Sequence, residues 1–431
     1  MTHRRTLNDW LAWIEHRHPL AIELRLDRVQ AVLASLGDPR PAPTVITVAG
    51  TNGKGSVCAM LESCLRAAGY RVGLYTSPHL RRYNERVRID GREAGDEILC
   101  AGFERVETAR GDRALTYFEF GTLAAFVCFA EAGLDVAILE VGLGGRLDAV
   151  NAIDSDCAVV TAIDLDHQEW LGDTREAIGR EKAGIFRAGR PAICGDPDPP
   201  ASLLDEAARV GVYLFRAGRD FRADPGPDGW AWRASAGYDG ATGRQRSGLP
   251  YPSLRGAHQI DNAATALMAL ECLAERFPVN QAQVREGLLN VRLPGRFQVL
   301  PGRPLRVLDV AHNPQAVRVL ATTLREQTVA GRTVAVFGML KDKDIAAVFR
   351  DMRSTIDGWY LATLGGERGA TAEELARQAR AAGIEAPLQT FASPVSAWAA
   401  AMAEAGDQDR VVGFGSFYVV GDILASLDRG K

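Results

Sequence analysis

Residues 44–57 read TVITVAGTNGKGSV, an apolar run followed by three glycines and one lysine within six residues. The run predicts a buried strand, and SVCAMLESCLRAAG (56–69) has the spacing of a helix stopped by Gly69. A strand that ends in bare backbone and opens a helix is an anion site, because N–H groups and the helix N-terminus converge on phosphate oxygens. Lys54 adds a fixed charge for β- and γ-phosphates, and Ser56 an oxygen near Mg²⁺. The spacing departs from GxxxxGK[ST], since Gly50 and Gly53 are three apart and Gly55 follows the lysine. A plain turn with an incidental lysine is the bland alternative. The order strand, turn, helix favours a triphosphate cradle made of Gly50, Thr51, Asn52, Gly53, Lys54, Gly55 and Ser56.

Outward from this loop, apolar runs alternate with helical stretches. VGLY (72–75), VAILEV (136–141), AVVTAI (158–163) and PAIC (191–194) read as strands; 117–133 and 174–186 read as helices. Such alternation predicts a mostly parallel sheet flanked by helices. Residues 217–250, rich in Gly, Asp and Arg, predict a small antiparallel excursion, and helical spacing resumes at 258–277. After LPGRFQ (293–298) new strands are expected at 305–310, 333–339, 359–363 and 410–415, with helices at 314–328, 343–355, 371–382 and 394–405. The expected architecture is α/β: a P-loop-type domain over 1–296 and a smaller Rossmann-like α/β domain over 297–431.

With 431 residues, 47% hydrophobic and 24% charged, the chain has the make-up of a multi-domain globular protein. A net charge of −4 without basic blocks argues against nucleic acid, and no apolar run reaches membrane-spanning length. Leu7, Trp10, Leu11 and Ile14 predict a packed first helix rather than a signal segment. Seven cysteines without CxxC or zinc spacing fit a reducing cytoplasm and core positions. Arginine outnumbers lysine 45 to five, the lysines being Lys54, Lys182, Lys341, Lys343 and Lys431. A lysine kept against that bias is a candidate for work needing a compact ammonium or a nucleophilic amine.

Mg²⁺ takes hard oxygen ligands and keeps sites for water and phosphate. Glu140 closes VAILE, His167 lies in DLDHQEWLG after the next strand, and Ser77 follows another strand in TSPHL. All three are expected at the C-terminal edge of one sheet, where α/β proteins bind ligands. A solvated glutamate and a structural histidine are the ordinary alternatives. GLGGRLD (142–148) is an incomplete dinucleotide fingerprint and reads better as a flexible loop beside Glu140. Lys182, in EKAG, would ordinarily be a surface helix lysine.

GTNGKGS, TSPHL, ERVRI, TYFEFGTLAAF, LEVGLGGRLDAVN, DHQEWLG, EKAGIF, LPGRF, DVAHNP, GMLKDKD and GFGSFY occur in that order along essentially the whole chain. Together they resemble the bacterial dihydrofolate synthase/folylpolyglutamate synthase family of the Mur-ligase superfamily. The resemblance implies an ATP-dependent amide ligase: a pterin-substrate carboxylate is phosphorylated, and the amine of L-glutamate attacks the acyl phosphate. It implies 7,8-dihydropteroate and tetrahydrofolates as acceptors and two Mg²⁺ sites; a cytoplasmic monomer is expected. By motif it places Ser56, Ser77, Glu140 and His167 at metal, and makes Lys182 the family's carbamylated lysine. Asn262, Arg296, Asp309 and His312 match nucleotide positions gripped from both domains across a hinge after LPGR. Lys54, Lys182, His167 and Arg296 are the implied catalytic set. Thr116, Phe118, Asp148 and Ala149 are implied at the pterin, with LDAVN departing from the commoner LDATN; Ser416 and Lys341 are implied at glutamate. A monofunctional folylpolyglutamate synthase, a non-catalytic nucleotide switch and a peptidoglycan-precursor ligase are the competing readings. The sequence has no NKxD guanine-reading motif for a switch and little length for a nucleotide-sugar domain.

Overall fold

The computed structural model describes residues 5–18, 20, 22–236, 240 and 242–428. Lys431 and part of the 217–250 stretch lie outside them. The chain divides into two compact units. One runs to His79 and adds Tyr83–Ser253 and Gln259–Arg292; the other takes Leu80–Arg82, Leu254–His258 and the chain from Leu293 onward.

The first unit is built on an eight-stranded sheet of β1 (Thr44–Ala49), β2 (Val72–Tyr75), β3 (Val87–Ile89), β4 (Arg92–Glu93), β5 (Val136–Glu140), β6 (Cys157–Val160), β7 (Pro191–Cys194) and β8 (Tyr213–Arg216). Their order is β4-β3-β2-β5-β1-β6-β7-β8, parallel from β2 to β8, with β3 and β4 antiparallel at one edge. Every residue of β1 is buried, which is why TVITVA carries no alternation. β1 lies between β5 and β6, and its register sets Val48 beside both Glu140 and Val159. The chain leaves β1 toward β2 on one side and leaves β5 for β6 on the other. A crevice opens beyond strand ends where connections diverge in this way.

The antiparallel excursion is a three-stranded sheet of β9 (Phe221–Gly226), β10 (Gly229–Ala236) and β11 (Thr242–Leu249). Trp232 anchors it, fully buried, with its indole N–H donating to Ala264 O at 3.1 Å. The first helix, Leu7–Glu15, is closed by a Thr6/Asp9 capping box and buries Leu7, Trp10 and Ile14, while Leu11 is half-buried. Trp10 packs on Phe103 and Phe120 at ring-centroid distances of 6.0 and 6.4 Å. All seven cysteines are buried and unbridged.

The second unit holds β12 (Gln298–Leu300), β13 (Leu305–Leu308), β14 (Thr333–Phe337), β15 (Gly358–Ala362), β16 (Leu388–Phe391) and β17 (Arg410–Phe414) in the order β12-β13-β17-β14-β15-β16. All neighbours are parallel except β12 against β13. Phe337, Phe349, Trp359 and Phe414 interlock beneath the sheet, with centroids 4.9 to 6.2 Å apart. Among the described residues no helix is long and apolar enough to cross a membrane.

Candidate active site

β1 delivers the glycine loop, and two of its glycines are there because nothing larger fits. Gly50 has φ 148° and a Cβ on it would stand 1.8 Å from Thr161 Oγ1; Gly53 has φ 90° and a Cβ would stand 2.6 Å from Asn262 Oδ1. Asn262 is thereby packed against the loop, with its Nδ2 donating to Gln259 Oε1 at 3.1 Å. The segment after β6 ties the loop down. Thr51 N–H donates to Ala162 O at 2.7 Å, the Thr51 hydroxyl donates to Asp164 O at 2.9 Å, and the Thr161 hydroxyl donates to Asn52 O at 2.7 Å. Lys54 opens the helix Lys54–Ala67, and its Nζ donates to Gly50 O and Thr51 O at 3.0 and 3.3 Å. Gly55 and Ser56 are buried in the first turn.

Glu140 ends β5, one strand from the loop, with a buried carboxylate whose Oε2 accepts the Ser77 N–H at 3.2 Å. The neighbouring Cys58 thiol is pushed well up, by burial first and then by the Glu140 charge, against the pull of Lys54. Glu140, Ser77, Ser56 and Lys54 therefore gather around the ends of β1, β2 and β5. His167 follows β6, at a strained φ of 50°; its ring Nε2 lies 3.9 Å from Asp166 Oδ2. Among the described residues no three His, Cys, Asp or Glu side chains cluster as a metal cage. The Glu140 carboxylate with the Ser56 and Ser77 hydroxyls offers hard oxygens, a chemistry that suits Mg²⁺, whose shell water and phosphate oxygens complete.

Lys182 is not a surface lysine: it is buried at 3% exposure in the helix Arg175–Ala183. Burial pulls its ammonium down to about 7, and the Lys54 charge pulls the same way, against Asp166, Asp148 and Glu181. Nor is GLGGRLD a loose loop. A Cβ on Gly145 would lie 2.6 Å from Glu181 O, and Arg146 N–H donates to that oxygen at 2.8 Å. Gly145 serves close packing on the Lys182 helix.

Asp148 is buried, and desolvation lifts its carboxyl to about 7 although Leu143 N–H and Val150 N–H donate to it at 2.8 and 3.1 Å. Ala149 beside it is buried. Phe118 packs its ring on Gly142, where a Cβ would stand 2.6 Å from the ring. Thr116 caps the helix Tyr117–Ala132 through a reciprocal box with Glu119, so its hydroxyl already serves the backbone. Arg28 donates Nε–H to both Glu119 oxygens at 2.8 Å, a support with no local signature in the sequence.

In the second unit Asp309 organises two loops. Its Oδ2 accepts the Phe297 N–H at 2.7 Å, next to Arg296, and its Oδ1 accepts the Ala311 N–H at 2.8 Å, next to His312. Burial raises the Asp309 carboxyl despite the Arg296 charge. The Arg296 guanidinium stands 5.3 Å from the Phe417 ring centroid, and the His312 ring 5.8 Å from it. Ser416 is buried, its Oγ accepting the Tyr418 N–H at 3.2 Å. Lys341 is exposed beyond β14, its N–H donating to Arg368 O at 2.8 Å.

Residues 48–270 match the Mur ligase middle domain and 295–417 the Mur ligase glutamate ligase domain. The chain is 47% identical over 425 residues to dihydrofolate synthase/folylpolyglutamate synthase of Escherichia coli K12, covering 99% of this chain and 96% of that one. It belongs to the dihydrofolate synthase/folylpolyglutamate synthase family of Mur ligases. A structure of E. coli FolC in complex with DHPP and ADP superposes with a TM-score of 0.92 at 46% identity, covering 99% of this chain and 98% of that one. A bifunctional folylpolyglutamate synthase/dihydrofolate synthase with Mn, AMPPNP and L-glutamate bound superposes at 0.89 with 47% identity, covering 98% of each chain. The family's middle-domain match contains Lys54, Glu140, His167 and Lys182, and its glutamate-ligase match contains Arg296, Asp309, His312, Lys341 and Ser416.

Proposed function

We propose that the chain is an ATP-dependent amide ligase that joins L-glutamate to 7,8-dihydropteroate, and to the γ-carboxylate of tetrahydrofolates. The observation that carries this is the gathering of a lysine-bearing glycine loop and the buried Glu140 carboxylate at neighbouring strand ends, with the buried Lys182 of the Arg175–Ala183 helix within reach of the Lys54 charge. In the reaction a carboxylate oxygen of the pterin substrate takes the γ-phosphoryl group of ATP and ADP leaves. The glutamate amine then attacks the acyl carbon, loses a proton and expels phosphate.

Gly50–Ser56 cradle the phosphates and Lys54 offsets charge on the transferred group. Ser56, Ser77, Glu140 and His167 hold divalent metal in two Mg²⁺ sites; bound there, Mg²⁺ offsets phosphate charge as a Lewis acid. Asn262, Arg296, Asp309 and His312 hold the nucleotide. Asp148, Phe118, Ala149 and Thr116 form the pterin pocket, Ser416 and Lys341 the glutamate contacts. A Lys182 amine that deprotonates near pH 7 is suited to add CO₂, giving a carbamate and a proton, which turns a buried cation into a carboxylate-like anion. The functional division falls at 296/297, and the protein acts as a cytoplasmic monomer. Purified protein with ATP, Mg²⁺ and glutamate is expected to release phosphate only when a pterin is added. Dihydropteroate and tetrahydrofolate are supplied separately. Turnover with tetrahydrofolate alone leaves a monofunctional polyglutamate synthase, and release indifferent to pterin overturns the ligase reading.

A further inference from the structure

The segment Thr161–Asp164 is bonded on two sides. Through Thr161, Ala162 and Asp164 it holds the glycine loop, as described above. Ile163, between them, gives both of its backbone groups to two side chains. Asp196 Oδ2 accepts the Ile163 N–H at 2.8 Å, and Arg175 Nε–H donates to Ile163 O at 3.1 Å. These side chains also pair with each other, Arg175 Nη2 to Asp196 Oδ2 at 3.1 Å. The pair is fixed from behind: Arg175 Nη2 donates to Asp198 O at 2.7 Å, and Asp198 N–H donates to Asp196 Oδ1 at 2.9 Å. Asp196 is buried, 5% exposed.

Arg175 also begins the helix Arg175–Ala183 that carries Lys182, and the clamped segment runs on within a few residues to His167. We propose that Arg175 and Asp196 are positioning residues: they clamp the Ile163 peptide and so set the glycine loop, the His167 turn and the Lys182 helix in register for nucleotide binding. The geometry requires arginine, whose fork donates in separate directions to Ile163 O, Asp196 and Asp198 O; a lysine ammonium cannot span all three from one point. The inference rests on the reading of the glycine loop as the nucleotide site.

The test compares Arg175→Ala, Arg175→Lys, Asp196→Ala and Asp196→Asn with wild type. ADP affinity is measured by titration calorimetry, and the KM values for ATP and glutamate are measured alongside. The alanine variants are expected to bind ADP about tenfold more weakly and to raise the ATP KM by about the same factor, since displacing a binding loop by a fraction of an ångström is costly. Arg175→Lys falls between, and the glutamate KM stays within about twofold. Where an alanine variant fails to fold, Arg175→Lys and Asp196→Asn decide the matter by the same readings. Unchanged ADP affinity and ATP KM, with only a lower melting temperature, would reduce the pair to a structural brace and overturn the proposal. Wild-type protein that fails to bind ADP would instead remove the nucleotide reading on which it rests.

Discussion

The strand ends of the two sheets place their charged braces differently. Beyond β1, β5 and β6 the glycine loop is braced by threonine hydroxyls and peptide groups, and the ionisable side chains Lys54, Glu140 and Lys182 stand partly or fully buried near it. Beyond β13 a carboxylate does the bracing. Asp309 accepts two backbone N–H groups, and Arg296 and His312 are set beside the Phe417 ring. The first region sets its charged brace, Arg175 and Asp196, one layer behind the glycine loop; the second uses the Asp309 carboxylate to hold its loops directly. A residue type read from sequence therefore predicts chemistry better in the first region than in the second.

The largest expected effect tests the first half of that contrast. Lys54→Ala removes the ammonium and leaves the glycine backbone intact. A drop in kcat/KM on the order of 10³-fold is expected, the scale of losing a cation that stabilises phosphoryl transfer. Steady-state phosphate release measures it, and activity within a few fold of wild type would show that the loop alone suffices.

The second half predicts a loss of stability before any loss of chemistry. Asp309→Ala leaves the Phe297 and Ala311 N–H groups without their acceptor. A buried unsatisfied donor costs about 1–3 kcal/mol. Thermal unfolding is expected at a lower temperature, and Asp309→Asn, which keeps one acceptor, is expected to lose less. An Asp309→Ala protein as stable as wild type but slower in turnover would leave Asp309 its nucleotide role alone and remove the organising one.

How much of this was legible follows the same division. TVITVA, VGLY and PAIC became strands within a residue of their expected bounds, because fully buried parallel strands carry unbroken apolar runs. β3, β4 and β16 went unread, being short strands at or next to a sheet edge with few buried residues. Ser77 and Glu140 could be placed together, since strand ends share an edge whatever the strand order. The bonds from Thr161 and Asp164 to the glycine loop, or from Arg28 to Glu119, join residues 91 to 113 apart in sequence. Nothing local encodes them, because they depend on which strands pair. Lys182 shows both sides: its scarcity marked it, yet its helix reads as a solvated one, and the packing that takes it out of water, the close approach of Gly145 among it, is tertiary.

The smallest expected effect sharpens the contrast most. The unfolded chain carries Lys182 at an ordinary lysine value near 10.5, and burial lowers it to about 7 in the folded protein. Between those values the folded state binds fewer protons than the unfolded state, so this group makes stability rise with pH. The gain is lost as pH falls back through about 7, where the buried amine must take up its charge. Lys182→Met fills much of the same space without a titrating group. Relative to that variant, wild type is expected to gain up to about 1.4 kcal/mol per pH unit above pH 7, one proton's worth of linkage. Urea unfolding of both proteins from pH 6.5 to 9 in CO₂-free buffer, where Lys182 stays a free amine, reads the difference directly. Parallel profiles would mean that Lys182 keeps an ordinary lysine pKa in the folded protein, and the first region would then lose the buried, readily neutralised amine that separates it from the second.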